Sequence, residues 1–180
     1  MADGKPVRGM PLLVTAELPD DVLAWADALR RAHYPSERNR LQAHVTLFHG
    51  LPPSLGEELR QLLGETSRKA VAPEASVTGI MDLDRGTALA VESPGMQALH
   101  ARLAEHLHGS IQQRDARELR LHITVQNKVS RAEAVAVQRD LAGSFEPRSF
   151  RFRGFGLYRW DGRLWNFSRL FSFRGAPAGS

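Results

Sequence analysis

The chain has 180 residues and no cysteine, which excludes disulfides, thiolate metal sites and cysteine nucleophiles. This length suits one compact domain, or two small lobes that share a core. The net charge of +4 is uneven, since residues 1–110 carry 11 Lys/Arg against 14 Asp/Glu and residues 111–180 carry 13 against 6. Nearly all of the basic excess is arginine, which suits bidentate contact with phosphate, although a genome-wide preference for arginine codons would give the same composition.

No apolar run is long enough for a signal sequence or a membrane-spanning helix, so we expect a cytoplasmic protein. The two ends, residues 1–9 and 175–180, are rich in small residues, glycine and proline and are predicted to be flexible tails.

The first half of the chain is predicted to alternate strands and helices. Asp20 or Asp21 is expected to cap the first helix. Ser54, with Glu57 three residues later, predicts a capping box at the second helix. In chain order the predicted elements are a strand at Leu12–Leu18, a helix from about 20 to Ala32, a strand at Leu41–Phe48, a helix from Ser54 to near Ala70 and a strand at Ser76–Leu83.

The same order of elements recurs in the second half. Ser93 predicts an N-cap with Pro94 as the first helical residue, and Ser130 with Glu133 predicts a second capping box. The predicted elements are a strand at Thr87–Glu92, a helix from Pro94 to near Gly109, a strand at Leu119–Val125, a helix from Ser130 to Ala142 that Gly143 stops, and strands at Ser149–Tyr158 and Arg163–Phe173. Tight turns at 84–86 and 161–162 favour antiparallel hairpins, hence an α+β fold over a parallel doubly wound sheet.

Equivalent elements of the two halves lie at a nearly constant offset. The first helices start 74 residues apart, the central strands align 78 residues apart and the second helices start 76 residues apart. Three matching elements indicate an internal duplication. Because there are only two copies, we expect a pseudo-two-fold pair of lobes within a single domain, lobe one at about 11–86 and lobe two at about 87–174, rather than a solenoid.

The two aligned central strands share a His-x-Thr tripeptide, at His44–Thr46 and at His122–Thr124. Residues i and i+2 of a strand point to the same face, about 7 Å apart, so histidine and threonine share a face and the apolar residue between them points the other way. A pseudo-two-fold axis would bring the two His/Thr faces together at one cleft. A single such tripeptide is common in structural strands, but two in equivalent elements of a duplicated chain favour a functional site.

Two histidines and two threonines at one cleft suit phosphoester chemistry. A neutral imidazole takes a proton from water and a protonated imidazole gives one to a leaving oxygen, and an ordinary pKa of about 6.5 serves both roles. The hydroxyls donate hydrogen bonds to phosphate oxygens. Neither role requires a metal, and the sequence contains neither a P-loop nor a G-x-S-x-G motif.

On these residues the chain resembles the 2H phosphoesterases, also called the LigT-like or 2′-5′ RNA ligase family. The resemblance covers nearly the whole chain and rests on the two tripeptides in matching order and spacing. It implies an α+β fold of two lobes, each an antiparallel sheet with helices on its outer face, enclosing a central groove. It also implies that His44 and His122 are the acid/base pair and that Thr46 and Thr124 hold the phosphate.

The resemblance implies hydrolysis of cyclic phosphodiesters, such as 2′,3′-cyclic phosphate ends of RNA or nucleotides, without metal or other cofactor. The alternatives are ATP-independent 2′-5′ RNA ligation in tRNA processing and a non-catalytic RNA-binding module that uses the basic second half. Many family members carry an arginine soon after the second motif. This chain has Lys128 there, which supplies a positive charge but lacks the two-donor guanidinium group of arginine. We expect a monomer that binds RNA or a small nucleotide with a cyclic phosphate, and neither a membrane nor a metal.

Other residues near the motifs allow two interpretations. His49 either borders the groove or is an ordinary loop histidine. Three aromatic side chains either stack on a base or pack in the core, namely Phe48, Tyr158 and Trp160. Four arginines either form a basic stripe beside the groove or alternate with buried phenylalanines in a half-buried strand, namely Arg148, Arg151, Arg153 and Arg159.

Overall fold

A computed structural model describes residues 10–107, 109 and 119–178 of the chain. Of the predicted tails, residues 1–9 and 179–180 lie outside the described residues. The strands and α-helices in chain order are β1 (Leu12–Glu17), α1 (Asp20–His33), β2 (Val45–Leu51), α2 (Gly56–Lys69), β3 (Glu74–Asp82), β4 (Thr87–Glu92), α3 (Pro94–His106), β5 (His122–Gln126), α4 (Arg131–Ser144), β6 (Arg148–Arg151), β7 (Gly154–Trp160) and β8 (Trp165–Ser172).

All of these strands form one antiparallel sheet in the order β6-β3-β4-β5-β2-β1-β7-β8. The predicted α+β class and antiparallel pairing are confirmed. The order β1-α1-β2-α2-β3 is followed by β4-α3-β5-α4-β6, as the pattern of the two halves predicts. β2 and β5 meet at the centre of the sheet, where Val45 lies opposite Ile123.

Each half of the chain contributes to the other half of the sheet, the first half with β3 and the second half with β7 and β8. β3 belongs to the first half of the chain but pairs with β4 of the second, because the short turn at 83–86 folds β4 back along β3 as a hairpin. β7 belongs to the second half but pairs with β1 of the first. The strand order therefore does not follow the predicted division between 11–86 and 87–174.

The sheet curls strongly. β6 and β7 occupy the first and seventh places in the order, yet only Phe152 and Arg153 separate them. Three peptide steps span at most about 11 Å, whereas six flat strand spacings would span about 29 Å. The two sides of the sheet must therefore approach each other, as in a half-barrel.

The predicted single strand Ser149–Tyr158 was wrong, because the chain changes neighbours at these two residues. β6 pairs with β3, and β7 pairs with β1. Between them the amide of Phe152 donates to the carbonyl of Pro73, and the amide of Arg153 donates to the carbonyl of Glu17. No local pattern distinguishes one long strand from two strands with different partners.

The core lies against the apolar face of the central strands. Val45 and Ile123 are fully buried in it, as the alternation predicts. Helices α2 and α3 contribute a further set of buried apolar side chains, namely Leu59, Leu63, Met96, Leu99 and Leu103. Within the described ranges no helix is long and apolar enough to cross a membrane.

Two of the predicted helix caps are confirmed. The Ser93 hydroxyl accepts from the amide of Met96 at 3.2 Å, with Pro94 as the first helical residue. Ser130 and Glu133 form both hydrogen bonds of a capping box at α4. The predicted stop at Gly143 was wrong, since α4 continues through Ser144.

The other two predicted caps were wrong. Pro19 occupies the N-cap position of α1, and Asp20 and Asp21 lie in the first turn, where their charge interacts favourably with the helix dipole. Ser54 lies within a short 3-10 turn at Pro53–Leu55, because Leu55 donates its amide to the carbonyl of Pro52. This turn delays the start of α2 to Gly56.

Candidate active site

The two His-x-Thr segments lie side by side at the centre of the sheet. His44 immediately precedes β2, and His122 is the first residue of β5. Since the antiparallel strands pair at Val45 and Ile123, one step along either strand places His44 opposite Thr124 and Thr46 opposite His122. All four side chains are half-buried and share the sheet face that Val45 and Ile123 do not use.

The two imidazoles are held in the same way. Nδ1 of His44 lies 2.7 Å from the carbonyl oxygen of Gln42, and Nδ1 of His122 lies 2.7 Å from that of Arg120. A carbonyl oxygen only accepts, so Nδ1 must carry the proton in both rings. Nε2 of each ring is therefore the nitrogen available to a substrate.

The surroundings of His44 favour its neutral form. Burial lowers the pKa of His44 to about 4, and the positive charges of Arg30 and His122 act in the same direction. The carbonyl of Gln42 and the carboxylate of Asp27 partly oppose this effect. At neutral pH His44 therefore presents a lone pair on Nε2.

Helix α1 braces both motif segments. Arg30, only 4% exposed, donates from Nη1 to the carbonyl of Thr124 at 2.7 Å and from Nε to Oδ1 of Asn39 at 3.1 Å. Its guanidinium also lies 4.4 Å from the centre of the Tyr34 ring. Oδ1 of Asp27 accepts from the amide of Ala43 at 2.6 Å, just before His44.

Sequence reasoning missed Arg30. The available signal was its place four residues after Ala26 and eight after Val22, on the buried face of α1. A cation on an apolar helix face needs acceptors nearby, and the sequence does not identify Thr124 as one.

A polar cluster continues the site across β1. Thr15 lies opposite Thr46 and donates to Oε1 of Glu17 at 3.0 Å. The hydroxyl of Tyr158 donates to the same oxygen at 2.8 Å. Burial and the Glu17 charge raise the pKa of Tyr158, so its hydroxyl stays protonated and remains a donor.

Two of the candidate base-stacking residues pack against other side chains. Phe48 is buried and stacks on His100 with 4.6 Å between ring centres, so its interpretation as a stacking surface was wrong. Trp160 packs on Trp165 with 5.4 Å between ring centres. The rings of His49 and Trp165 meet edge to face with 5.6 Å between their centres, which places His49 beside the β7–β8 hairpin.

The four candidate arginines do not form one stripe, because they belong to different parts of the sheet, and Arg159 lies near the end of β7. Arg148 lies over the Trp25 ring at 4.1 Å, and Arg151 pairs with Glu74 at the β6 edge. Arg153 lies 3.4 Å from Asp20 and borders a cavity on the Glu17 side of His44. The alternative interpretation describes the segment better, since its phenylalanines are buried, namely Phe150, Phe152 and Phe155.

Lys128 lies on the loop after β5 with a left-handed backbone, φ 61°. Its carbonyl accepts from Nη1 of Arg38 at 3.4 Å, so two cationic side chains belong to this loop region. Among the described residues no group of three or more histidine, aspartate or glutamate side chains is placed to hold a metal ion.

Comparison with known proteins identifies relatives. A family model described as the 2′-5′ RNA ligase superfamily matches residues 18–164. Among solved structures, TT0787 of Thermus thermophilus is similar over 92% of this chain and 99% of its own, with 20% identity and a TM-score of 0.61. E. coli LigT complexed with 3′-AMP is similar over 92% of this chain and 98% of its own, with 18% identity and a TM-score of 0.55. The comparison with curated proteins finds no match. The extent of the family match, on a chain with two paired His-x-Thr strands, shows that the protein belongs to the 2′-5′ RNA ligase superfamily of 2H phosphoesterases.

Proposed function

We propose that the protein hydrolyses 2′,3′-cyclic phosphate ends of RNA or nucleotides by a two-histidine mechanism. The observation that carries this proposal is the antiparallel pairing at Val45 and Ile123, which sets His44 beside Thr124 and Thr46 beside His122. The equal Nδ1 hydrogen bonds of the two imidazoles support it. The relative LigT has been captured with 3′-AMP, a monophosphate of the kind that opening such a ring produces.

In the proposed reaction His44 is the general base. Its Nε2 takes a proton from water as the water oxygen forms a bond to phosphorus. The bond from phosphorus to one ribose oxygen breaks, and Nε2–H of protonated His122 gives its proton to that oxygen. The products are a phosphomonoester on one ribose oxygen and a hydroxyl on the other. The lowered pKa of His44 supports this assignment, because the base must be neutral before the step.

The threonines complete the proposed site. Hydroxyls of Thr46 and Thr124 donate hydrogen bonds to the non-bridging phosphate oxygens, where negative charge is concentrated. Because of the register, each imidazole is adjacent to the threonine of the neighbouring strand. A phosphate between β2 and β5 therefore meets one imidazole and one hydroxyl from each side.

The decisive experiment offers the purified protein 2′,3′-cyclic nucleotides and short RNAs with cyclic phosphate ends, in EDTA, and identifies the position of the product phosphate. We expect turnover by wild type and a loss of at least about 100-fold in His44→Ala and His122→Ala. His106→Ala, an exposed histidine on α3, is the matched control. Turnover that survives both changes would exclude the mechanism.

Ligation is a second candidate function, because the matching family is described by that activity. The chemistry differs only in the nucleophile, since an RNA 5′-hydroxyl replaces water and the same two proton transfers follow. RNA halves that end in a 2′,3′-cyclic phosphate and a 5′-hydroxyl, mixed without ATP, would give a joined product if ligation dominates. Formation of monophosphate ends alone would assign the site to hydrolysis.

A further inference from the structure

A cavity of about 550 Å³ lies next to the motif of β2. Gln42 lines it and also provides the carbonyl that holds Nδ1 of His44. Glu17 and Phe167 line it from β1 and β8. Ala16 pairs with Val45 in the sheet. Glu17 and His44 each lie one residue beyond this pair, on strands about 4.8 Å apart. A single nucleoside is long enough to reach from the phosphate position into the cavity.

The carboxylate of Glu17 is held in one orientation. Both hydrogen bonds that it accepts within the described part of the chain end on Oε1, one from Thr15 and one from Tyr158. Gly156 lies directly against these hydrogen-bonded groups. A Cβ at this position would collide with Oε1 of Glu17 and the hydroxyl of Thr15. Oε2 is consequently left for the cavity, as an acceptor that cannot donate.

The cavity also offers an aromatic surface and positive charge. Phe167 is 57% exposed, and its ring meets Tyr158 edge to face at 5.4 Å. An exposed ring at a cavity wall suits stacking of a planar base. Arg40 and Arg153 border the same space and favour an anionic ligand.

We propose that this cavity binds the nucleobase attached to the scissile phosphate and selects bases with an exocyclic amino group. Glu17 Oε2 accepts from the amine while Phe167 stacks on the base. Cytosine and adenine present an amino donor, whereas uracil presents a carbonyl oxygen that a carboxylate repels. This specificity rests on the proposed phosphodiesterase function and adds a substrate preference to it.

Cytidine and uridine 2′,3′-cyclic phosphates provide the sharpest test, because their bases are nearly the same size and differ in the group at position 4. We expect wild type to favour the cytidine substrate in kcat/KM by about 10- to 100-fold. This ratio corresponds to the free-energy contribution of one hydrogen bond to a charged group. In Glu17→Gln the amide oxygen stays with the Thr15 and Tyr158 donors, so the amide NH2 faces the cavity. The preference should then shift toward uridine.

Two controls separate base selection from general damage. Glu65→Gln changes an exposed glutamate on α2 and should leave the ratio unaltered. Phe167→Ala should raise KM for both substrates about equally, since stacking does not distinguish them.

Equal kcat/KM for the two nucleotides in wild type, or an unchanged ratio in folded Glu17→Gln, would overturn the cavity proposal while leaving the hydrolytic function intact. Failure to turn over any cyclic phosphate would overturn the proposed function instead. In that case calorimetric binding of cytidine and uridine 3′-monophosphates still decides the cavity proposal, since equal affinities would refute it and a cytidine preference that Glu17→Gln removes would support it.

Discussion

Replacing Arg30 tests whether helix α1 sets both the position and the protonation of the histidine site. Arg30→Met removes hydrogen bonds of 2.7 Å to Thr124 and 3.1 Å to Asn39, together with the contact to the Tyr34 ring. A hydrogen bond from a charged group contributes about 1.5–3 kcal/mol, and a buried carbonyl left without its partner costs a similar amount. Relief of guanidinium burial offsets part of this loss, so we expect a net destabilisation of about 2–4 kcal/mol.

The same substitution should change the pH dependence. The Arg30 charge lowers the pKa of His44, so its removal lets this pKa rise above about 4, although burial remains and still holds it below its usual range. The acid limb of kcat/KM should move to higher pH by the same amount. Arg30→Lys retains the charge but not the two-donor geometry, and should lose activity with a smaller shift of the limb.

Three measurements check this reasoning. Urea denaturation at pH 7 gives the free energy of unfolding, the pH–rate profile locates the acid limb, and an NMR titration of the His44 ring follows its protonation independently of turnover. A His44 titration that is the same in wild type, Arg30→Met and Arg30→Lys would refute the electrostatic role of Arg30. An unchanged free energy of unfolding in Arg30→Met would refute its role in holding the two motif segments in place.

Three further predictions concern the surrounding structure. Because the folded state resists protonation of His44, the free energy of unfolding should fall as pH drops from about 6.5 to about 4, and urea titrations at intervals should show His44→Gln losing part of this slope. Ser130→Ala breaks the capping box of α4 and should cost about 1 kcal/mol in thermal denaturation, an effect whose absence would contradict the cap assignment. Gly86→Ala puts a Cβ against the backbone at the end of β5 and should cost about 1–3 kcal/mol, while Gly79→Ala meets open space and should be nearly neutral in the same assay.

Much of the local structure could be predicted because it depends on residues a few positions apart. The alternation around Val45 and Ile123 identifies the buried face of each central strand, and the Ser93 and Ser130 caps are short-range hydrogen bonds. Where a neighbouring proline turn competes, as at Ser54, the same local rule fails.

The α+β class, the repeated order of elements and the two His-x-Thr strands follow from the sequence alone, since composition and period are properties of neighbouring residues. The folded structure was needed to show that β7 pairs with β1 and that His44 lies beside Thr124. It also decided the contacts that support the site, because Arg30 meets Thr124 across 94 residues and Glu17 meets Tyr158 across 141. Such contacts arise when the curled sheet brings distant segments together, and no spacing along the chain records them.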